Sequence, residues 1–296
     1  MVILAARGVY FRYPGAGVAL DGLDLEIKAG ERLAILGPNG SGKTTLLLHL
    51  NGSLRPERGA VCLDGEPAGY GRAALSAWRR RVGLVLQDPD DQLFAGTVYQ
   101  DVSFGPLNLG LAEAEVRQRV VRALDDLHIA PLADRPIHAL SLGQKRRVVI
   151  AGTLAMTPEV LLLDEPTAGL DPHGVAHLLA ALRRLAESGT TIVFATHDVD
   201  LALDWADRVA LFAGGRMIAC DEPARALADA RLVRQAHLRR PMLLDLGEVA
   251  RNAGLIGADQ PLPKTLGEMQ EILQRAGARS GPGAAAAPPS AVRAES

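Results

Sequence analysis

The chain has 296 residues, enough to bury a sizeable core in one large domain or two modest ones. Its 48% hydrophobic and 22% charged residues are the balance of a globular protein, not of a disordered or fibrous one. A net charge of −2 without any basic block argues against nucleic acid as the main partner.

The opening residues, Met1 to Arg7, form too short an apolar run for a secretory signal. No segment approaches the ~18 apolar residues of a membrane span, so the expectation is a soluble chain that reaches a membrane only through partners. Leu23, Leu25 and Ile27 alternate with Asp24, Glu26 and Lys28, the period of a half-buried strand. Arg32 to Leu36 is a short apolar strand, and Lys43 to Leu50 reads as a helix stopped at Asn51-Gly52. Val82 to Leu86, Val160 to Asp164 and Thr191 to Ala195 are further strands, apolar enough for a parallel sheet covered on both faces. Between them, from Gln87 to about Val149, turn signals precede a helix on which Val116, Val120, Val121, Leu124 and Leu127 share a face. This reads as a helical insert in an α/β core. Arg208 to Cys220 reads as a hairpin turning at Gly214-Gly215. Cys62 and Cys220 both fall in strand-like apolar runs, which predicts buried free thiols and a reducing compartment. Beyond Glu222 come three short amphipathic stretches, near 224–238, 242–253 and 265–276. The last residues, rich in Gly, Ala, Pro and Ser, read as a disordered tail. The expected division is 1–225 with the insert at about 87–149, a helical region 226–278, and a tail 279–296.

Chemistry concentrates in Gly37-Pro38-Asn39-Gly40-Ser41-Gly42-Lys43-Thr44, which fills every position of GxxxxGK[ST] between a strand and a helix. Glycines let backbone N–H groups turn inward around phosphate oxygens, and the helix amino end favours an anion. Lys43 would neutralise the terminal phosphates, Thr44 would bring its hydroxyl to Mg²⁺, and Thr45 would add a phosphate contact. A chance glycine-rich turn would explain neither the strand before nor the helix after. Asp164-Glu165 ends an apolar strand, where ligands of parallel sheets collect. Asp164 is placed to hold Mg²⁺ and Glu165 to poise water. Alone, that pair would be an ordinary strand end.

A second string, Leu140-Ser141-Leu142-Gly143-Gln144, completes a pattern. With both strings present, the chain resembles the ATP-binding-cassette ATPases over about residues 3 to 225. The resemblance implies an α/β P-loop (RecA-like) ABC ATPase core with an inserted α-helical subdomain and a small helical C-terminal extension. It further implies ATP and Mg²⁺ as cofactors and a homodimer in which two chains sandwich two MgATP. On that pattern Tyr13 stacks on adenine, and Gln87 is the lid glutamine reaching Mg²⁺ and water. His197 contacts the γ-phosphate, and Asp171 lies at the dimer seam. Ser141, Gly143 and Gln144 close over the partner's ATP. Leu142 stands where glycine is usual, which puts a side chain at the closing surface. Without the family, Tyr13 would be read as packing and His197 as a satisfied polar residue.

The run Asp88-Pro89-Asp90-Asp91-Gln92-Leu93-Phe94, followed by Asp101-Val102-Ser103-Phe104-Gly105-Pro106-Leu107-Asn108-Leu109-Gly110, is turn-rich and apolar beside the lid. It suits either a groove for a partner helix or internal packing of the insert. With Ser141 to Arg147 it resembles the ATPase subunits of energy-coupling-factor importers of the cobalt and nickel group. That resemblance implies a subunit at the cytoplasmic face of the membrane, driving an integral-membrane coupling subunit beside a separate metal-selecting membrane subunit. His173 and His177, four apart, could share a helix face and chelate a divalent ion, but with no third ligand at matching spacing a solvated pair is the better reading. Two rivals stand beside this: the ATPase of a vitamin importer, and a soluble cassette acting on nucleic acid or ribosomes. A small GTPase is disfavoured by the lack of an Asn-Lys-x-Asp string.

Overall fold

The computed structural model describes residues 1–279 apart from 16 and 258, in two compact units, Met1–Arg239 and the residues from Arg240 onward. In the first unit β1 (Val2–Arg12) and β2 (Val18–Lys28) pair antiparallel, with a register shift between Ala6 and Val9. Then come β3 (Arg32–Leu36), α1 (Lys43–Leu50), β4 (Arg58–Leu63), the two-residue β5 (Glu66–Pro67), α2 (Arg72–Arg81) and β6 (Val82–Val85). The insert holds α3 (Val98–Asn108), α4 (Glu113–Asp126) and α5 (Leu142–Ala155). After it follow β7 (Val160–Asp164), α6 (Pro172–Glu187), β8 (Thr191–Thr196), α7 (Val199–Trp205), β9 (Arg208–Ala213) and β10 (Arg216–Asp221). Two short helices, α8 (Pro223–Ala228) and α9 (Ala230–Gln235), close the unit.

A four-stranded antiparallel sheet has the order β2-β1-β4-β5, and a six-stranded sheet the order β10-β9-β3-β8-β7-β6. In the larger sheet every neighbour is parallel except β10 on β9. One core spans both sheets: Leu4, Val9, Leu20 and Ile27 share it with Leu33, Ile35, Val193 and Phe212, and Leu46, Leu47 and Leu50 of α1 fill the space between. Apolar cover on more than one side leaves Thr44 as the one exposed residue of α1. Strand register then sets the site. Leu36 pairs with Thr196 and Asp164 with Ala195, so the carboxyl ends of β3, β8 and β7 stand side by side.

Some expectations shift. Val116, Val120, Leu124 and Leu127 of the α4 face are buried, but Val121 is 47% exposed because 121 follows 120 by 100° around the helix. No break occurs at 149, since α5 runs on to Ala155 and ends where Thr157 adopts a positive φ ahead of Pro158. The stretch near 224–238 is two helices, divided where the Asp229 carboxylate accepts from the Arg231 and Leu232 amides and caps α9. With Leu227 and Val233 buried and α8 against β9 and β10, both helices belong to the first unit. Cys62 is buried, whereas Cys220 is half-buried beside the Arg208 guanidinium; both are free.

In the second unit α10 (Met242–Asn252) buries Leu244 and Ala250, and α11 (Leu266–Arg279) follows. Residue 279 closes α11, and the rest of the expected tail, 280–296, lies outside the described residues. Among the described residues no helix is long and apolar enough to cross a membrane.

Candidate nucleotide-binding site

The loop from Gly37 to Gly42 leaves β3 and enters α1 under tight steric limits. A β-carbon at Gly42, where φ is +102°, would lie 2.5 Å from the Ala19 carbonyl oxygen; one at Gly37 would lie 2.6 Å from that of Phe212. Neither position admits a larger residue without moving backbone. Lys43 is buried at the loop's centre, its Nζ donating to the carbonyls of Gly37 (2.8 Å) and Pro38 (3.2 Å). Burial pushes its ammonium pKa down, while Glu165 and Asp164 pull it up. A cation desolvated in this way is ready to meet a phosphate.

Thr44 Oγ1 donates to Asp164 Oδ2 at 2.6 Å, joining the helix start to the end of β7. Burial raises the Asp164 pKa, the Thr44 hydrogen bond lowers it and the neighbouring Glu165 raises it further. Glu165 is buried, and its φ of +47° is a costly conformation for a residue with a β-carbon. Both carboxylate oxygens are held: Oε2 accepts from Thr196 Oγ1 (3.1 Å), and Oε1 lies 2.9 Å from His197 Nδ1. Since a carboxylate only accepts, Nδ1 carries the proton in that bond.

Tyr13, Asn39, Gly40, Gly42, Lys43, Thr44, Thr45, Gln87, Asp164 and Glu165 line one cavity of about 510 Å³, so most of the expected residues converge. Its size suits a mononucleotide. Tyr13 stands edge-on to Phe11 and its hydroxyl lies 3.4 Å from Thr45 Oγ1. Thr44, Gln87 and Asp164 offer only oxygen donors on this wall beside the phosphate cradle, the donor set that Mg²⁺ takes. The residues fit that ion.

The second string lies elsewhere. Ser141 caps α5 in a reciprocal box with Gln144: the Gln144 amide donates to Ser141 Oγ (3.3 Å) and the Ser141 amide to Gln144 Oε1 (2.9 Å). Ser141 is exposed and Gln144 half-buried, and neither they nor Gly143 line the cavity that holds Lys43. Leu142, 52% exposed, faces an adjoining cavity with Gln87, Arg146 and Gly169. Asp171 caps α6, accepting from the Gly174 amide at 2.6 Å. His173 and His177 do share a face of α6, and His128 adds a third ring, with centroids 4.0 Å and 4.1 Å apart along the stack. No group of three His, Cys, Asp or Glu among the described residues is arranged to hold a metal.

Two groups escaped the sequence reading. Thr196 anchors the glutamate, and Arg146 donates from Nη1 to the Glu165 carbonyl (2.5 Å) and from Nη2 to that of Gln87. The available signal was helical spacing: Arg146 shares a face with the buried Val149 and Ile150, so a charge points inward.

The family model described as "ABC transporter" matches residues 20–168. The chain is 57% identical to "Cobalt import ATP-binding protein CbiO" of Rhodobacter capsulatus over 89% of this chain and 94% of that one. It is 47% identical to "Energy-coupling factor transporter ATP-binding protein EcfA" of Methanocaldococcus jannaschii, over 84% and 89%. Among solved structures it is similar to cbiO1 of Clostridium perfringens, part of the cbiONQ transporter complex (TM-score 0.70, 43% identity, 84% of this chain and 99% of that one). It is also similar to a dimeric ATP-binding cassette in a post-hydrolysis state bound to ADP and Pi (TM-score 0.69, 28% identity, 75% and 99%).

Proposed function

The chain belongs to the ABC transporter family of ATP-binding cassettes and is an ATPase, and from that premise we propose that two copies close on two MgATP to energise import of a transition-metal ion, Co²⁺ before Ni²⁺. The observation that carries the chemistry is Glu165, buried at the cavity wall with both carboxylate oxygens anchored. A base held in this way can take the proton of an attacking water without losing its aim. Phosphoryl transfer asks for position and charge neutralisation more than covalent help. Lys43 supplies the charge, the loop amides orient the phosphates, Tyr13 borders the base end, and His197 reaches the γ-phosphate from the glutamate's other side. Thr44, Asp164 and Gln87 would hold Mg²⁺, which neutralises phosphate charge when bound. Ser141 and the amides near Gly143, with Gln144 and Asp171 at the seam, cap the nucleotide of the partner chain. The exposure of Ser141 at the start of α5, outside the chain's own cavity, supports that reading.

Replacing Glu165 by Gln is expected to cut turnover by a factor on the order of 10²–10⁴ with ATP binding nearly intact. Near-normal turnover would remove Glu165 as the base.

The membrane partner is read from the insert. Phe94 and Phe104 stack edge-to-face at 4.5 Å and stay 63% and 48% exposed, with Leu107 beside them in sequence at 55%. An aromatic pair left in water beside the lid suits a helix of an integral-membrane coupling subunit, so that closure of the lid moves the partner. Cobalt as cargo follows the relative of highest identity reported above, and a separate membrane subunit would select the ion. The chain would act at the cytoplasmic face of the membrane. The similarity to EcfA favours a second reading, in which the same ATPase serves a vitamin importer. Uptake of ⁵⁷Co²⁺ or ⁶³Ni²⁺ by cells with and without this chain separates the two. Uptake independent of the chain would end the metal reading.

A further inference from the structure

Arg146 is buried, makes no ion pair among the described residues, and leaves its Nε without a partner. An arginine is an expensive group to bury, and its fork is held here by two backbone carbonyls alone, those of Gln87 and Glu165. These two residues are 78 positions apart in sequence, on different strand ends, and the proposed mechanism needs both. Each is joined to the other through one planar guanidinium, and the Glu165 end sits in the strained positive-φ region that only surrounding contacts can maintain. The same helical turn has a second tie to the lid: Lys145 Nζ bonds Asp90 Oδ1 at 2.6 Å. Five residues before Arg146 stands Ser141, about 7.5 Å up the helix axis.

We propose that Arg146 is a positioning residue that fixes the lid glutamine and the glutamate base relative to α5, so that what Ser141 meets on the partner chain is reported to this chain's own hydrolytic site. The proposal rests on the reading of Gln87, Glu165 and Ser141 given above. It makes α5 a rigid connector: its outer end touches one nucleotide and its inner end aligns the machinery for the other. A lysine in its place brings one point of charge where the fork spans two acceptors, so Arg146→Lys keeps the charge and loses the bridge.

The test uses the full-length chain as Arg146→Lys and Arg146→Ala, with Glu165→Gln beside them. For Arg146→Lys, kcat is expected to fall by a factor of about 10², with nucleotide affinity within about threefold of wild type. The Hill coefficient for ATP is expected to drop toward one, and added guanidinium to restore part of the turnover of Arg146→Ala. Should the alanine variant fail to fold, the lysine variant decides. Unchanged kcat and cooperativity in Arg146→Lys would overturn the proposal, as would a kcat loss matched by equal loss of nucleotide binding. If Glu165→Gln is inactive while Arg146→Lys is normal, the connector fails and the base stands. If Glu165→Gln stays active, the reading of the base has failed instead.

Discussion

The nucleotide cradle and the start of α5 present functional groups in opposite ways. In the cradle, Lys43, Asp164 and Glu165 are buried, each bonded to a neighbour and delivered by adjacent strands in fixed register. At the start of α5, Ser141 and Gln144 bond mainly each other, with Ser141 exposed and Gln144 half-buried. Groups that act within one chain are locked by its core, at the cost of desolvating charges that must balance one another. Groups proposed to act on a second chain are organised by the helix cap instead of the core. On the proposed two-chain reading, half of the active site would be built on folding and the other half on association.

The contrast can be broken from either side. Lys43→Ala strikes the built half: ATP binding itself is expected to fail, with hydrolysis down at least about 10²-fold, since the chief neutralising charge of the cradle is lost. Equilibrium binding of a fluorescent ATP analogue checks this, and retained affinity would mean that the loop amides suffice. Ser141→Arg strikes the presented half and should act differently. Binding to the single chain is expected to be unchanged, because Ser141 does not line the chain's own cavity. Turnover and ATP-dependent dimerisation are expected to fall by a factor on the order of 10². Loss of binding by the monomer would show that the two halves are not separate.

Much of the cradle was legible in the sequence because its constraints are local. A glycine-rich loop between an apolar strand and a helix, and a strand ending in Asp164-Glu165, carry their chemistry within a few residues. β3, α1 and β7 have the bounds that the residue pattern predicts. β1 was missed because a register shift near Gly8 interrupts its alternation, leaving Arg7 and Gly8 exposed between buried neighbours. Thr196 and Arg146 were missed for another reason. Their partners are Glu165 and Gln87, and only the folded sheet and insert bring those pairs together. Sequence shows a buried charge as an oddity of helical phase, without naming what it bonds. The division at Arg239 likewise depends on α8 packing against β9 and β10, a contact that amphipathic spacing alone does not reveal.

The smallest expected effect concerns what lies beneath the cradle. His49 is fully buried in α1, edge-on to Phe11 at 4.7 Å, and its Nδ1 donates to the Thr45 carbonyl at 2.7 Å. Burial pushes its pKa below the ordinary 6.5, outweighing the hydrogen bonds to backbone carbonyls that raise it. Unfolded chains therefore take up the proton near pH 6.5, whereas the folded chain resists until lower pH. The stability associated with neutral His49 is fully present above 6.5 and is lost as the pH falls below it, by at most about 1.4 kcal/mol per pH unit. Denaturation midpoints measured between pH 7.5 and about 5 are expected to decline in wild type and to decline less in His49→Gln. A residual slope is expected in the variant, because His177 is also shifted down, by desolvation and by the charges of His173, His128 and Arg147. Identical slopes in the two proteins would mean that a proton reaches the floor of the cradle at no cost, and that the built half is less sealed than its burial implies.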